Sequence, residues 1–454
     1  MVKKSTKTLF VCNDCGREYL QWQGRCDGCG EWNTLAKISV AAAQTWHDED
    51  GTTSISLKDA SLQPESRLNT GVSEFDRALG GGLVRGSVVL LSGDPGVGKS
   101  TLLLQVAAHV ARSKQSVLYI CGEESQSQVR SRAERLGIAD ADIILTTVTD
   151  AVKLAAVIAS SKPDLVIADS VQTLVHPEYP SSAGSIVQLR ECGLILSQTV
   201  KRSGSALVLV GHVTKQGTIA GPRVLEHMVD AVMSFDSQSD RAYRLIRVEK
   251  NRFGDASEVG VLSMSPTGFV AVTNPAEYFL AERRVAPGSA LTVVLEGNRP
   301  LVLEIQALCQ PTSFGYPKRA ASGFDANRLQ LLLAILERHT GVATSDYDVY
   351  VNVVGGWRIK EPAADLAVAA AVVSSIASQS LPDKLCLFGE VGLTGEIRRV
   401  MHYDRRAETA TRLGYEVLPF KADLRAILQD AGLTGGQTSH QPRRKSNQPS
   451  SIIE

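Results

Sequence analysis

Short apolar stretches alternate with longer amphipathic or polar stretches through the first two thirds of the chain. The apolar stretches are rich in β-branched residues and predict buried strands over residues 87–92, 116–121, 142–146, 164–169 and 206–211. The stretches between them have helical spacing and predict helices over residues 101–110, 125–136, 151–160 and 186–202. Strands that alternate with helices indicate a mostly parallel sheet with helices on both faces. We therefore expect an α/β fold for this region.

The pattern changes after about residue 272. Two neighbouring apolar stretches, 292–297 and 301–308, predict a hairpin. Further elements are predicted at residues 327–338 (amphipathic helix), 347–354 (strand) and 363–378 (alanine-rich buried helix). This mixture predicts a separate α+β domain.

Composition narrows the class of protein. The chain has 454 residues, of which 43% are hydrophobic and 21% charged, and its formal net charge is zero. This length predicts two or three domains, and the balanced charge means that any nucleic-acid site must be a local patch. No apolar run approaches the roughly 18 residues of a membrane span, and no signal-peptide pattern is present. We therefore expect a cytoplasmic protein that has no membrane partner.

A phosphate-binding motif lies between a predicted strand and a predicted helix. Residues 93–100 read Gly-Asp-Pro-Gly-Val-Gly-Lys-Ser and fit the pattern G-x-x-x-x-G-K-[ST]. Glycines let backbone N–H groups turn toward phosphate oxygens, and the helix N-terminus adds partial positive charge. We expect Lys99 to reach the β- and γ-phosphates and Ser100 to offer its hydroxyl to Mg²⁺. A glycine-rich turn that fits by chance is the alternative, and both flanking elements oppose it.

Acidic residues follow two of the predicted strands. Asp169 ends an apolar strand, where nucleotide hydrolases place the carboxylate that holds the Mg²⁺ shell. Glu123 and Glu124 follow the strand at 116–121, where a carboxylate can orient the attacking water. The alternatives are a strand-end cap for Asp169 and, for the two glutamates, a solvated helix start at which acids suit the helix dipole.

Four of the eight cysteines lie within the first 30 residues, at Cys12, Cys15, Cys26 and Cys29. Two C-x2-C knuckles separated by ten residues can complete a closed, tetrahedral four-sulfur Zn²⁺ site. The segment is too short to bury a core, so the metal would supply its folding energy. A redox pair and an Fe–S site are the alternatives; the first needs only one knuckle, and the second usually has different spacing.

The nucleotide-binding region resembles the RecA family. The run from His212 to Asp230 and the Lys-Asn-Arg-Phe-Gly run at 250–254, together with the four-cysteine segment, closely match the bacterial RadA family of DNA repair proteins, also called Sms. The resemblance covers nearly the whole chain. It implies an ATP-dependent enzyme that acts on recombination intermediates, binds single-stranded and branched DNA, and drives branch migration as a hexameric ring. It also implies the recombinase as a partner, with replication proteins as further candidates.

The resemblance implies a role for each matching residue. It assigns nucleotide binding to Gly93, Asp94, Pro95, Gly96, Val97, Gly98, Lys99, Ser100 and Thr101. Glu123 matches the catalytic glutamate, Asp169 the magnesium-shell acid, and His212 a polar sensor of the γ-phosphate.

Two further segments also match the family. Residues 213–224 match a DNA-binding loop whose polar, basic or flexible members are Lys215, Gln216, Gly217 and Gly221. Lys250 and Arg252 match a motif that reaches the ATP of the adjacent subunit and stabilises charge there, as an arginine finger does. A solvated strand end is the alternative for this pair.

The last third resembles the proteolytic domain of the Lon family, in which a serine at the start of the alanine-rich helix and a lysine some forty residues later form a dyad. This chain has Ala363 at the serine position and no lysine at residues 404–406. Because alanine has no oxygen with which to attack, we expect an inactive domain that serves as a ring scaffold. Its basic residues either follow a phosphate backbone or form a solvated face: Lys318, Arg319, Arg328, Arg358, Arg398 and Arg399.

The complete prediction is an α/β protein: a RecA-like P-loop ATPase core with a small N-terminal zinc finger and a C-terminal Lon-protease-like α+β domain. The predicted segments are a finger (1–33), a linker (34–64), the ATPase (65–271), the inactive domain (272–437) and a disordered tail (438–454). Two rival functions stay open. Ala363 opposes an ATP-dependent protease, and the finger with the 250–254 motif opposes a RecA-like regulatory ATPase of the circadian-clock type.

Overall fold

The computed structural model describes residues 7–12, 17–40, 66–212, 224–236, 243–312 and 316–433. The chain divides into two compact units. The first comprises residues 1–273 with 297–299, and the second comprises residues 274–296 with 300–454. Among the described residues, no helix combines the length and apolar character needed to cross a bilayer.

The N-terminal part of the first unit is a three-stranded antiparallel sheet. Its strands are β1 (Lys7–Cys12), β2 (Glu18–Tyr19) and β3 (Leu35–Val40), in the order β2-β1-β3. Because β3 pairs with β1 along its whole length, the finger's sheet extends beyond the predicted boundary at residue 33. The rest of the predicted linker, from residue 41, lies outside the described residues.

A nine-stranded sheet forms the centre of the first unit. Its strands are β6 (Val88–Gly93), β7 (Val117–Cys121), β8 (Ile143–Thr146), β9 (Leu165–Asp169), β10 (Ala206–His212), β11 (Ala231–Asp236), β12 (Tyr243–Asn251), β13 (Val259–Ser265) and β14 (Gly268–Ala271). Their order is β14-β13-β12-β11-β6-β10-β9-β7-β8. The strands from β11 to β8 are parallel, and β12 to β14 add an antiparallel edge.

Helices cover both faces of this sheet. The remaining elements are β4 (Arg67–Leu68), α1 (Ser73–Ala78), β5 (Leu83–Val84), α2 (Lys99–Arg112), α3 (Gln126–Arg135), α4 (Ala151–Ser161), a 3-10 turn (Val171–Thr173) and α5 (Ile186–Ser203). Alternate residues of β6 enter different cores: Val89 and Leu91 pack with α2, and Val88 and Leu90 with α4 and α5. The strands and helices predicted between residues 87 and 211 are confirmed, with ends that differ by at most two residues.

The second unit is an α+β fold. Its strands are β15 (Ser289–Glu296), β16 (Arg299–Pro311), β17 (Arg319–Ser322), β18 (Tyr347–Val353), β19 (Leu385–Cys386), β20 (Glu390–Val391), β21 (Ile397–Arg398) and β22 (Glu416–Val417). Six of them form a sheet in the order β17-β18-β16-β15-β19-β22, and β20 pairs with β21.

The helices of the second unit are α6 (Pro275–Leu280), α7 (Ala326–Thr340), α8 (Asp365–Ala377), α9 (Tyr403–Arg412) and α10 (Leu424–Asp430), with 3-10 turns at Thr344–Asp346, Val354–Gly356 and Pro362–Ala364. The first ten residues of α8 are all buried, as its alanine-rich sequence predicts. The predicted hairpin and helix at 292–308 and 327–338 are present, and the predicted tail at 438–454 lies outside the described residues.

Candidate active site

The phosphate loop connects the carboxyl end of β6 to the start of α2. Gly96 and Gly98 have φ values of +79° and +108°, which side-chain-bearing residues rarely adopt. A Cβ atom at Gly98 would also lie 2.6 Å from the ring of Phe269. Helix α2 begins at the next residue, Lys99, so the loop ends on a helix N-terminus, which favours anion binding.

The Lys99 side chain is 4% exposed and folds back on the loop. Its Nζ donates hydrogen bonds to the Gly93 carbonyl at 2.7 Å and the Asp94 carbonyl at 3.0 Å. Burial lowers the pKa of Lys99, and the carboxylates of Asp169, Glu123 and Asp94 oppose this shift. The amine is therefore held within the loop by two carbonyl oxygens, which phosphate oxygens can replace.

Asp169 lies at the carboxyl end of β9 and is 8% exposed. The Tyr119 hydroxyl donates a 2.7 Å hydrogen bond to its Oδ2. Burial, together with the neighbouring Asp169 carboxylate, raises the pKa of Tyr119 well above its usual range, so the phenol remains a donor. The sequence prediction missed Tyr119, because its apolar strand gave no sign that this ring would meet Asp169.

The two adjacent glutamates have different partners. Glu123 accepts a hydrogen bond from the Ser170 hydroxyl. Its Oε1 also lies 3.2 Å from His212 Nε2. The His212 Nε2 atom is buried and has no hydrogen-bond partner among the described residues, so this contact is a close approach and not a hydrogen bond. Glu124 instead forms a 2.5 Å ion pair with Arg132 on α3. Only Glu123 therefore joins the cluster of polar side chains at the strand ends.

His212 ends β10, directly beside the phosphate loop. In the pairing of β10 with β6, His212 lies opposite Gly93. The Gln172 amide, which sequence reasoning did not single out, donates a 3.5 Å hydrogen bond to the His212 carbonyl. The carboxyl ends of parallel strands thus bring together Lys99, Glu123 and His212, and this edge of a parallel sheet is where ligands commonly bind.

Lys250 and Arg252 do not join this cluster. The Lys250 Nζ donates to the Glu226 carbonyl at 2.6 Å and the Val229 carbonyl at 2.9 Å. Arg252 Nη1 lies 3.1 Å from the carboxylate of buried Asp230. Burial, and then the neighbouring Arg252 charge, lowers the pKa of Lys250.

The strand register places this pair at the opposite end of the sheet. The Asp230 amide donates to the Val88 carbonyl, and Arg252 donates its own amide to the Asp230 carbonyl. Val88 begins β6, and Gly93 ends it. At about 3.3 Å per residue, the two ends of β6 are about 16 Å apart. Arg252 therefore lies far from the phosphate loop of its own chain.

The predicted DNA-binding loop at 213–224 lies outside the described residues except for its last position. The loop's predicted contacts Lys215, Gln216, Gly217 and Gly221 therefore stay predictions. His212, which immediately precedes the loop, connects it directly to the cluster at the strand ends.

Three of the four predicted metal ligands converge in the finger. The sulfur atoms of Cys12, Cys26 and Cys29 lie within 4.8 Å of one another, and Cys15 is outside the described residues. The Gly28 amide donates to Cys26 Sγ at 3.3 Å, as in a knuckle that prepares a thiolate for a metal. This soft-donor set fits Zn²⁺, which would hold the short sheet together when bound.

Two positions of the second unit are predicted to correspond to the Lon-family dyad. Ala363 is fully buried, and its carbonyl accepts a hydrogen bond from the Gly389 amide at 2.8 Å. In the 404–406 segment, buried Arg406 forms a two-pronged ion pair with Glu361 at 2.8 and 2.5 Å. Both positions therefore serve the packing of the domain.

Two of the basic residues proposed either to follow a phosphate backbone or to form a solvated face have partners within the second unit. Arg328 forms a bidentate ion pair with Asp365, a fully buried carboxylate. Burial raises the pKa of Asp365, while Arg328 opposes the shift. Arg399 stacks over the Tyr403 ring at 5.0 Å. The Arg328 guanidinium therefore compensates a buried charge, and contact of these basic residues with a phosphate backbone stays a prediction.

Two family models match separate parts of the chain. The model described as an AAA domain matches residues 56–218, which include the phosphate loop, Glu123, Asp169 and His212. The model described as a rubredoxin metal binding domain matches residues 10–37, which include all four predicted metal ligands. The nucleotide-binding and metal-binding assignments therefore each have independent support.

Solved structures with a similar arrangement cover a little under half of the chain. A KaiC-like protein from Pyrococcus horikoshii is 19% identical, with a TM-score of 0.38, over 46% of this chain and 99% of its own. The RadB recombinase is 21% identical, with a TM-score of 0.37, over 45% of this chain and 99% of its own.

Full-length relatives are much more similar. The DNA repair protein RadA of Brucella abortus is 45% identical over 423 residues, which span 90% of this chain and 91% of the relative. RadA of Bacillus subtilis is 43% identical over 443 residues, spanning 95% and 94%. RadA of Pseudomonas aeruginosa is 44% identical over 417 residues, spanning 90% and 92%. With this identity over nearly its whole length, the chain belongs to the RadA family of DNA repair proteins.

Proposed function

We propose that this protein is a DNA-dependent ATPase that processes recombination intermediates in the cytoplasm, binding single-stranded DNA and driving branch migration. The observation that carries the proposal is the meeting of Lys99, Glu123 and His212 at the strand ends. This cluster combines a phosphate-binding amine, a base and a histidine that leads into the predicted DNA loop.

The chemistry follows from the positions of these side chains. Lys99 exchanges its two loop carbonyls for the β- and γ-phosphate oxygens of ATP. Glu123 orients the attacking water, and the Ser170 hydroxyl fixes the carboxylate. Asp169 and Ser100 are the residues that would hold Mg²⁺, which when bound neutralises charge on the phosphates.

Lys250 and Arg252 act on the ATP of a neighbouring subunit. Their place at the opposite end of the sheet supports this role, because neither reaches the phosphate loop of its own chain. A site completed by the next subunit requires a head-to-tail assembly, which forms a ring where the rotation between subunits closes. We propose that the ring is a hexamer.

His212 connects ATP hydrolysis to movement of the predicted DNA-binding loop. Its imidazole lies beside Glu123, and the chain continues directly into residues 213–224. Loss of the γ-phosphate changes the surroundings of Glu123 and His212, and this change shifts the loop that grips a DNA strand. Repeated around a ring, the shift translocates the strand as a helicase does.

The second unit acts as a Lon-like scaffold and not as a protease. Ala363 has no hydroxyl, and Arg406 is committed to Glu361. The finger serves as a docking site for a partner protein or DNA. The recombinase is the partner we propose, and replication proteins are further candidates.

Phosphate release with and without single-stranded DNA tests the function. We expect DNA to stimulate hydrolysis by the wild type, and Lys99→Ala to hydrolyse ATP at background rates. A gel shift should show single-stranded DNA bound in the presence of a nucleotide. Hydrolysis that is indifferent to DNA, with no gel shift, would favour the regulatory ATPase; ATP-dependent digestion of casein would favour the protease.

A further inference from the structure

The second unit contains a pocket that the ATPase does not use. It has a volume of about 660 Å³ and lies on the face of β16, β17 and β18 that carries their exposed side chains. Pockets of this size commonly hold a small molecule or a side chain of a partner. We name it the sheet pocket; its side chains include Ser289, Glu304, Gln306, Leu308, Tyr350 and Asn352.

The strand register arranges these side chains as a polarity gradient. Leu308 pairs with Tyr350, and Gln306 pairs with Asn352 in the next row of the same face. Glu304 precedes Gln306 by two residues and so lies on that face too. Leu308 and Tyr350 are 54% and 37% exposed, whereas Glu304 is 3% exposed. The floor is thus apolar at one end and anionic at the other.

Glu304 is a buried carboxylate that forms no ion pair with any described residue, and the cation that also lines the pocket, Arg284, is exposed. The Glu304 Oε1 accepts hydrogen bonds from the Ser289 hydroxyl at 2.6 Å and the Gln306 amide at 3.2 Å. Within the described part of the chain, both hydrogen bonds of this carboxylate are made by Oε1, and none is found at Oε2. Because Oε2 has no partner of its own among the described residues and opens into the pocket, this site favours an incoming hydrogen-bond donor that carries positive charge.

We propose that the sheet pocket binds an arginine side chain of a partner protein. The guanidinium pairs with Glu304, and the aliphatic stem extends toward the apolar end of the floor, formed by Tyr350 and Leu308. Arginine suits this arrangement better than lysine, because a guanidinium bonds a carboxylate with two N–H groups in a fixed geometry. Charge complementarity with the unpaired carboxylate selects this occupant.

The test uses the full-length protein and the peptide acetyl-Gly-Arg-Gly-amide, followed by saturation-transfer NMR. We expect saturable binding, and at least tenfold weaker binding of the peptide with citrulline, which is similar in shape but neutral. Glu304→Gln should weaken binding at least tenfold. The matched control Glu408→Gln, at an exposed acid on α9 that does not line the pocket, should change it less than twofold.

Further arms separate the alternatives. Tyr350→Ala, at the exposed end of the pocket, should also weaken binding of the peptide. Circular dichroism shows whether Glu304→Gln folds, and Tyr350→Ala replaces it as the test variant if it does not. No saturable binding, or equal binding by Glu304→Gln, overturns the proposal. Tighter binding of spermidine than of the peptide assigns the pocket to free polyamines instead. Loss of self-association in Glu304→Gln, seen by sedimentation, assigns it to a second copy of this chain and likewise contradicts a partner protein.

Discussion

Replacing Glu123 by Gln separates the proposed base from its equally acidic neighbour. The substitution keeps the size of the side chain and its contact with the Ser170 hydroxyl, but removes the negative charge beside His212. Glu124→Gln is the matched control, because Glu124 is paired with Arg132 and does not join the cluster.

The expected effect follows from the role of a positioned base. Such a group contributes about 10²–10⁴-fold to the rate, which corresponds to about 3–5 kcal/mol of transition-state stabilisation. Glu123→Gln should lower DNA-stimulated kcat by that factor. Nucleotide affinity should change little, because Lys99 and the loop, which we propose hold the phosphates, are intact.

Phosphate release measures kcat, and a fluorescent ATP analogue measures nucleotide affinity in the same samples. Glu124→Gln should retain a kcat within a few-fold of the wild type, since ion pairs of this partly exposed kind are worth only about 1 kcal/mol or less. Equal losses in both variants, or near-normal hydrolysis by Glu123→Gln, would refute the assignment of Glu123 as the base.

Three further outcomes are expected. Cys26→Ser should lower bound zinc measured by elemental analysis while the ATPase keeps its thermal transition; wild-type protein purified without zinc would contradict the metal assignment. Arg406→Leu leaves Glu361 uncompensated and should destabilise the second unit by about 3–5 kcal/mol in urea unfolding, so an unchanged transition would count against this role. The Thr394 hydroxyl, with Arg398, lowers the pKa of Glu396 from 4.5 to about 2, so its stabilisation is present above pH 4.5 and is lost as the pH falls toward 2. Glu396→Gln should flatten this acid limb in unfolding experiments between pH 2 and 5, and an identical limb would exclude the contribution.

The sequence predicted those parts of the molecule that depend on local pattern. The phosphate loop needs glycines at positions of positive φ, followed directly by the start of a helix. All of these glycines lie within the eight residues 93–100, so the motif can be recognised from the sequence alone. The strands between residues 87 and 211 were predicted because each is a short apolar run between polar helices. Alternate packing of Val88 and Val89 into opposite cores explains why β6 shows no polar alternation.

Contacts between distant segments were not predictable in the same way. Glu123 and Glu124 are adjacent and chemically alike, and only the fold decides that one meets His212 and the other Arg132. Tyr119 meets Asp169 from a neighbouring strand, a pairing that depends on strand order. Arg328 looked like a surface charge, yet it compensates Asp365 from another helix.

The central claim is that one subunit completes the ATP site of the next, and mixing two inactive variants tests it most directly. Lys99→Ala lacks the lysine of the proposed phosphate loop, and Arg252→Ala lacks the arginine that we propose acts on the neighbouring subunit. Randomly mixed rings contain both an intact loop and an intact Arg252 at about one interface in four. The account predicts that DNA-stimulated ATP hydrolysis, absent from each variant alone, partly returns in the mixture and is greatest near equal amounts. If cross-linking shows that mixed rings form and no ratio restores hydrolysis, Arg252 does not act on the neighbouring site.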